Sequence, residues 1–220
     1  MHRYFEVLGT WNRSIAGWVY MIHNVGGTEG EFNIPTDQFE RLLKCLSQNN
    51  VIRLENLELE AKFIALSIDD VPASFYYNAF PVLKKYKIPF TLFVSCSLLD
   101  TEGYITTDML QEMSEFDLCT VGSHGWKHDF FCKFSEKEAR EDLLRSKEKL
   151  ENIIDKSVEL YAFPYGSYYA CGLKHKHLVN EFFKYGFGTV ACPITKPSLL
   201  PNYFLPRINL TNEVIDKICG

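Results

Sequence analysis

The sequence has no long hydrophobic run, no run of lysine and arginine, and no Cys-x-x-Cys pair. A membrane-spanning helix needs about 20 predominantly apolar residues in succession, so we expect no membrane span. The net charge of −5 does not provide the basic surface that binds phosphate backbones, which argues against nucleic acid as a partner. Repeats, low-complexity tracts and linkers are also absent, and this favours a single domain over residues 1–220.

The cysteines and the first residues both predict a cytoplasmic protein. The seven cysteines are odd in number and lie mostly in apolar surroundings, so reduced, largely buried thiols fit the pattern best. Residues 1–13 include Glu6 and Arg13 and contain no continuous hydrophobic segment of signal-peptide length. Disulfides are rare in the cytosol, where thiols are kept reduced.

The composition is that of a folded protein, with 46% hydrophobic and 23% charged residues. Strand-like and helix-like runs alternate along the chain, which predicts an α/β fold. Strands are predicted at residues 18–22, 63–68, 90–95, 118–122, 160–163, 188–192 and 204–210. Helices are predicted over residues 36–46, 76–86 and 107–113, and a capping box formed by Ser135 and Glu138 predicts the start of a longer one.

Two adjacent carboxylates, Asp69 and Asp70, end the apolar run at residues 63–68. Charges at the end of a strand usually lie at the rim of a sheet or barrel, where α/β enzymes carry out their chemistry. If strand geometry persists through the pair, the two side chains point to different sides, so one could bind a cation while the other faces a water. Paired aspartates also occur as ordinary turn and cap residues, and the pair needs partners before it indicates a function.

His124 and His128 are candidate partners for these carboxylates. Their i, i+4 spacing places two imidazoles on one side of a helical turn, and Gly125 permits a sharp turn there. Two surface or hydrogen-bonded histidines are an equally good interpretation of the motif alone. One aspartate and two histidines would leave open positions on a metal ion for water and substrate.

Three segments resemble the polysaccharide deacetylases, the metal-dependent enzymes of carbohydrate esterase family 4. They are Ser67-Ile68-Asp69-Asp70, Ser123-His124-Gly125-Trp126-Lys127-His128 and Tyr161-Ala162-Phe163-Pro164-Tyr165-Gly166, in that order. The likeness covers residues 62–170, with further similarity at 21–25 and 205–208. It implies a distorted or incomplete (β/α) barrel in a single domain, with residues 1–60 as an N-terminal part packing on the barrel.

The resemblance also implies a site and an activity. Asp70, His124 and His128 would hold a divalent cation, with zinc expected first, although cobalt, nickel, manganese or iron can share such ligands. Asp69 would be the general base, and a backbone N–H near Tyr165 would donate to the oxyanion. The implied reaction is the removal of N-acetyl groups from a glycan or glycan precursor that contains N-acetylhexosamine, so a carbohydrate is the expected partner.

Several residues depart from the family pattern. Val71 replaces a glycine, Gly125 replaces a serine or threonine, and Ala162 stands where many members carry an arginine that contacts the base. Arg207 is our candidate for the missing positive charge that keeps Asp69 ionised, although a surface or packing role is as good an interpretation.

The general acid is the larger gap, because no histidine follows His177. His23, at the end of the first strand, is a candidate to reach the rim, but a structural hydrogen bond is the preferred interpretation for it. Two alternatives to deacetylation therefore stay open: a weakly active or inactive glycan-binding domain of the same fold, and hydrolysis of another acyl amide. The aromatic residues Trp126, Phe163, Tyr165, Tyr168 and Tyr169 surround the motifs, and some of them could stack on sugar rings.

Overall fold

The computed structural model describes residues 15–27, 32–57, 62–172, 174–195 and 201–220. Residues 1–13, on which the signal-peptide expectation depends, lie outside these ranges. The strands are β1 (Ile15–Ile22), β2 (Asn24–Val25), β3 (Asn33–Ile34), β4 (Phe63–Asp69), β5 (Phe90–Val94), β6 (Cys119–Ser123), β7 (Leu160–Ala162), β8 (Tyr185–Phe187), β9 (Ile194–Thr195) and β10 (Ile208–Asn209). The helices are α1 (Thr36–Leu46), α2 (Phe80–Tyr86), α3 (Thr107–Ser114), α4 (Glu136–Ile154), α5 (Tyr168–Cys171), α6 (Val179–Phe182) and α7 (Asn212–Cys219).

The main sheet is parallel along the order β10-β1-β4-β5-β6-β7-β8, and β9 joins β1 in the antiparallel sense. The segment at residues 205–209 connects the two ends of this order. Leu205 bridges Phe187 of β8 at one end, and β10 at the other end pairs Ile208 with Tyr20 of β1. The sheet therefore curls into an incompletely closed barrel with helices outside it, which confirms the predicted fold class.

Burial of apolar faces explains why these elements form. In β4 almost every residue is buried, which matches the continuous apolar run expected for a strand covered on both faces. Helix α1 buries Phe39, Leu42, Leu43 and Leu46 on one face, each contributing about 1.5–3 kcal/mol relative to exposure. Helix α4 begins with the predicted capping box, in which Ser135 and Glu138 satisfy each other's backbone N–H groups.

The first 60 residues do more than pack on the barrel. Strand β1 lies inside the sheet and pairs with β4 from Gly17–Phe63 to Ile22–Ile68. The N-terminal part thus supplies one wall of the barrel as well as the α1 layer outside it.

The structure corrects two of the predicted strands. The strand predicted at residues 188–192 is instead β8, which ends at Phe187, and the one predicted at 204–210 is reduced to β10. After Phe187 the chain leaves the ladder, because Thr189 N–H donates to Gly166 O at 2.7 Å in the loop that follows β7. Gly186 lets the later segment pack against β8, since a Cβ atom there would lie 2.5 Å from Tyr203 O.

The predicted helix over residues 76–86 is observed in two parts. A wide π-helical turn covers Phe75–Ala79, and α2 continues from Phe80, with Pro81 in its first turn as expected. None of the helices in the described ranges combines the length and apolar character of a membrane span.

The expectation of reduced thiols is wrong for one pair of cysteines. Cys45 in α1 and Cys219 in α7 form a disulfide with their Cα atoms 5.7 Å apart, within the usual range for such bonds. The other five cysteines are free, and Cys96, Cys119 and Cys171 are buried as expected. Since a disulfide is uncommon in the cytosol, the cysteine argument no longer favours that compartment.

Candidate metal centre

The candidate residues meet at the carboxyl ends of the parallel strands, as the sequence predicts. Strand β4 ends at Asp69, and Asp70 leaves the strand with a φ of 61°. The strand geometry therefore does not persist through the pair. Instead of pointing to opposite faces, both carboxylates lie within 3.7 Å of the His124 Nε2 atom.

His124 and His128 reach the site from an irregular loop that follows β6, and this corrects the expected helical turn. The left-handed backbone of Gly125 (φ 76°) and of His128 (φ 56°) turns the chain so that both rings face Asp70. His128 Nε2 lies 3.1 Å from Asp70 Oδ1, and His124 Nε2 lies 3.7 Å from it. One potential ligand atom from each of these three residues falls within 4.8 Å of the other two.

The hydrogen bond made by His124 fixes which of its nitrogens faces the site. The Nδ1 atom lies 2.8 Å from the carbonyl oxygen of Ala162 at the end of β7. Because a carbonyl oxygen can only accept, Nδ1 carries the proton, and Nε2 presents its lone pair toward Asp70. Burial lowers the pKa of His124, so its neutral form, the form that binds metals, is favoured.

The chemistry of Asp70 fits a cation ligand. Its Oδ1 atom is buried and has no hydrogen-bond partner among the described residues. Burial alone would raise the pKa of Asp70, but contact with His128 and the charge of His124 lower it to about 2. A half-buried, ionised carboxylate with one buried oxygen, beside two imidazoles, fits a divalent metal such as zinc.

Asp69, in contrast, is fully paired by Arg207. The guanidinium donates from Nη1 to Oδ1 at 2.6 Å and from Nη2 to Oδ2 at 2.8 Å, while its Nε donates to Gly188 O at 3.1 Å. Burial opposes ionisation of Asp69, yet the charge of Arg207 keeps the pKa of this carboxyl below its ordinary value. Arg207 is fully buried just before β10, so the interpretation as a surface residue does not hold.

Tyr165 lies in the turn after β7 and also has left-handed backbone, with a φ of 61°. No acceptor for its backbone N–H occurs among the described residues, so the group is free to donate to an oxyanion. Its ring packs edge-on to His128, 4.8 Å between centroids, and stacks on Phe130 at 4.2 Å.

The aromatic residues named from the sequence separate into two groups. Phe163 is buried in the core, and the Trp126 ring is covered by the Arg145 guanidinium. Tyr165, Tyr168 and Tyr169 are exposed. Phe130, which stacks on Tyr165 and lies edge-on to Tyr169, was missed because nothing in the local sequence distinguishes it from a core phenylalanine.

His23 is closer to the site than the sequence interpretation favoured. Ile22 of β1 pairs with Ile68 of β4, so the next residues, His23 and Asp69, follow at the same level of the sheet. The charge of His23 contributes to lowering the pKa of both Asp69 and Asp70. Its side chain makes no hydrogen bond to another described residue, and its ring packs against Phe32, with 5.1 Å between centroids.

Comparisons with known proteins agree with this geometry. A family model described as polysaccharide deacetylase matches residues 56–177. A poly-beta-1,6-N-acetyl-D-glucosamine N-deacetylase of Staphylococcus aureus is 28% identical over 211 residues, which cover 85% of this chain and 71% of the relative.

Two solved structures share the fold. The structure of IcaB from Ammonifex degensii has a TM-score of 0.79 and 25% identity, with 93% of this chain and 96% of that chain covered. A polysaccharide deacetylase from Bacillus cereus also superposes with a TM-score of 0.79, at 22% identity, covering 93% of this chain and 69% of that chain.

Proposed function

The chain belongs to the polysaccharide deacetylase family, and on that premise we propose that it is a zinc-dependent hydrolase that removes N-acetyl groups from a polymer of N-acetylglucosamine. The observation that carries the proposal is the buried Asp70 oxygen without a hydrogen-bond partner, 3.1 Å from one imidazole and 3.7 Å from another. The choice of polymer is supported by the relative from Staphylococcus aureus, whose name specifies poly-beta-1,6-N-acetyl-D-glucosamine.

Asp70, His124 and His128 would hold the divalent cation, which when bound lowers the pKa of a water and polarises the acetyl carbonyl. Asp69 accepts the proton of the attacking water, since Arg207 keeps its carboxylate ionised. The unpaired N–H of Tyr165 donates to the oxyanion that develops on the acetyl carbonyl oxygen when the water attacks its carbon.

His23 is our proposed donor of a proton to the leaving amine. It follows β1 at the level of Asp69, and its charge acts on both carboxylates. His175 and His177 are the remaining histidines in the described late part of the chain, and neither is among the main causes of the pKa shift of Asp69 or Asp70. A donor directly after β1 would also account for the absence of a histidine after His177.

The test is acetate release from β-1,6-linked N-acetylglucosamine oligomers by zinc-loaded protein. Asp69→Asn keeps the shape of the base but cannot accept the proton, so we expect turnover to fall by at least about 10²-fold with zinc content unchanged. His23→Gln should lower kcat by about 10²-fold and keep zinc. His175→Gln is the matched control and should behave as wild type.

Equal acetate release by the wild type and Asp69→Asn would overturn the proposal. Oligomer binding without acetate release by the zinc-loaded wild type would favour the glycan-binding alternative. Turnover of a different acyl amide in a parallel substrate panel, with none of the acetylated oligomer, would favour the other hydrolase.

A further inference from the structure

The loop that presents His128 is held by hydrogen bonds on both of its sides. Its carbonyl groups accept from the segment after β5: Cys96 N–H donates to Gly125 O at 3.1 Å, and Ser97 N–H donates to Trp126 O at 2.8 Å. These contacts fix one edge of the loop between the two histidines. The N–H groups of the loop have separate acceptors: His124 N–H donates to Val94 O at 2.9 Å and Gly125 N–H to Ser123 Oγ at 3.1 Å, while that of Trp126 is bound from the other side.

Asp142 of helix α4 supplies such an acceptor. Both of its carboxylate oxygens lie 3.1 Å from the backbone nitrogen of Trp126, although the two residues are 16 positions apart. Gly125 makes this approach possible, because a Cβ atom at this position would lie 3.0 Å from Asp142 Oδ2. The glycine and the aspartate therefore fit each other, and the glycine also adopts the left-handed φ of 76° that the turn requires.

Packing alone does not favour an aspartate at position 142, because a carboxylate loses hydration when it is buried. Burial raises its pKa to about 6, against the opposing effects of the Trp126 and Lys127 N–H groups and of the Lys127 charge. A carboxylate held this way specifies the position of the backbone it binds.

We propose that Asp142 is a positioning residue for the metal centre, which holds the Trp126 N–H so that the left-handed turn aims the His128 imidazole at Asp70. This inference rests on the proposed function, because it assumes that His128 binds a metal ion. Asp142 lies outside the segment His124–His128. Its effect is transmitted through the backbone of that loop rather than by contact with substrate.

The test compares zinc affinity with stability in Asp142→Ala and Asp142→Asn. Zinc dissociation constants would be measured by competition with a chelator, the visible spectrum of the Co²⁺ form would report ligand geometry, and thermal unfolding of metal-free protein would report stability. Outer hydrogen-bond partners of metal ligands typically affect affinity by about 10–100-fold, and we expect a loss of this size for Asp142→Ala together with an altered Co²⁺ spectrum. Asp142→Asn keeps one acceptor oxygen and should lose less, and it preserves the test if the alanine variant fails to fold.

Glu141→Ala is the matched control, since Glu141 is the exposed neighbour on the same helix. It should leave zinc affinity and the Co²⁺ spectrum unchanged. If the Asp142 variants bind zinc as wild type does, with an unchanged spectrum and only a lower unfolding temperature, the inference is overturned. Zinc binding that depends on Asp142 in a protein that releases no acetate would uphold the inference while the proposed function fails.

Discussion

Asp69 and Asp70 are adjacent in the chain, yet their carboxylates differ in how they are paired. Asp69, with Arg207, forms what we call the base half of the site, in which both carboxylate oxygens accept from one guanidinium. Asp70, with His124 and His128, forms the metal half, in which a buried carboxylate oxygen has no hydrogen-bond partner among the described residues. Both oxygens of Asp69 are paired within the chain, whereas Asp70 Oδ1 has no such partner among the described residues, and we propose that a metal ion binds there.

Removing Arg207 should break the base half with the largest effect. Arg207→Met leaves the Asp69 charge buried without its partner, so we expect the free energy of unfolding to fall by about 3–5 kcal/mol. Urea denaturation of metal-free protein measures this loss. The double variant Arg207→Met with Asp69→Asn removes the orphaned charge and should regain part of the stability, and equal losses in the single and double variants would show that the ion pair is unimportant.

Removing the charge of Asp70 should instead affect the metal half. Asp70→Asn should weaken zinc binding by more than the 10–100-fold typical of outer contacts, because a direct ligand is lost. At neutral pH the metal-free variant should lose less stability than Arg207→Met. Chelator competition and urea denaturation on the same samples check both statements, and retained zinc affinity would contradict the assignment of Asp70 as a ligand.

In the metal-free protein, the free energy of unfolding should depend on the ionisation of Asp70 at acidic pH. The pKa of Asp70 is lowered from 3.8 to about 2 by the nearby histidines, so the unfolded state binds its proton at a higher pH than the native state does. Stability from this group is present above pH 4 and is lost as the pH falls towards 2, by about 2 kcal/mol. Asp70→Asn should lack this part of the acid sensitivity, and identical pH profiles for the two proteins would contradict the prediction.

The smallest effect is expected at Tyr165, outside both halves. If its backbone N–H is the donor, Tyr165→Phe keeps the donor and the stacking on Phe130, and acetate release should change by less than about 0.5 kcal/mol in activation free energy. Steady-state kinetics on the oligomer measures this. A loss as large as that of Asp69→Asn would assign the role to the phenolic hydroxyl instead.

Two kinds of information predicted the site. Asp69 and Asp70 directly follow the apolar run of β4. Arg207 was predicted from the resemblance, because Ala162 stands where many family members carry an arginine, and the structure brings Arg207 to Asp69. Helix α1 was predicted with its observed bounds, since its apolar spacing is helical over the whole segment.

Other features depend on contacts between distant parts of the chain. The turn between His124 and His128 is set by Ser97 and Asp142, neither of which is near it in sequence. The end of β8 likewise depends on a distant contact, the hydrogen bond from Thr189 N–H to Gly166 O. The Cys45–Cys219 disulfide joins residues 174 positions apart, and no local pattern indicates such a pairing.

The left-handed residues described at the site also matter for protein engineering. Among the described non-glycine residues, Asp70, Val71, His128 and Tyr165 adopt positive φ values at the site, while Lys87 and Asp155 adopt them at the ends of α2 and α4. Lys87→Gly and Asp155→Gly are suitable substitutions for raising thermal stability, because glycine relieves backbone strain at these helix ends. Glycine at Asp70 or His128 would remove a proposed metal ligand. A mutant library selected for thermal stability should therefore keep these residues unchanged.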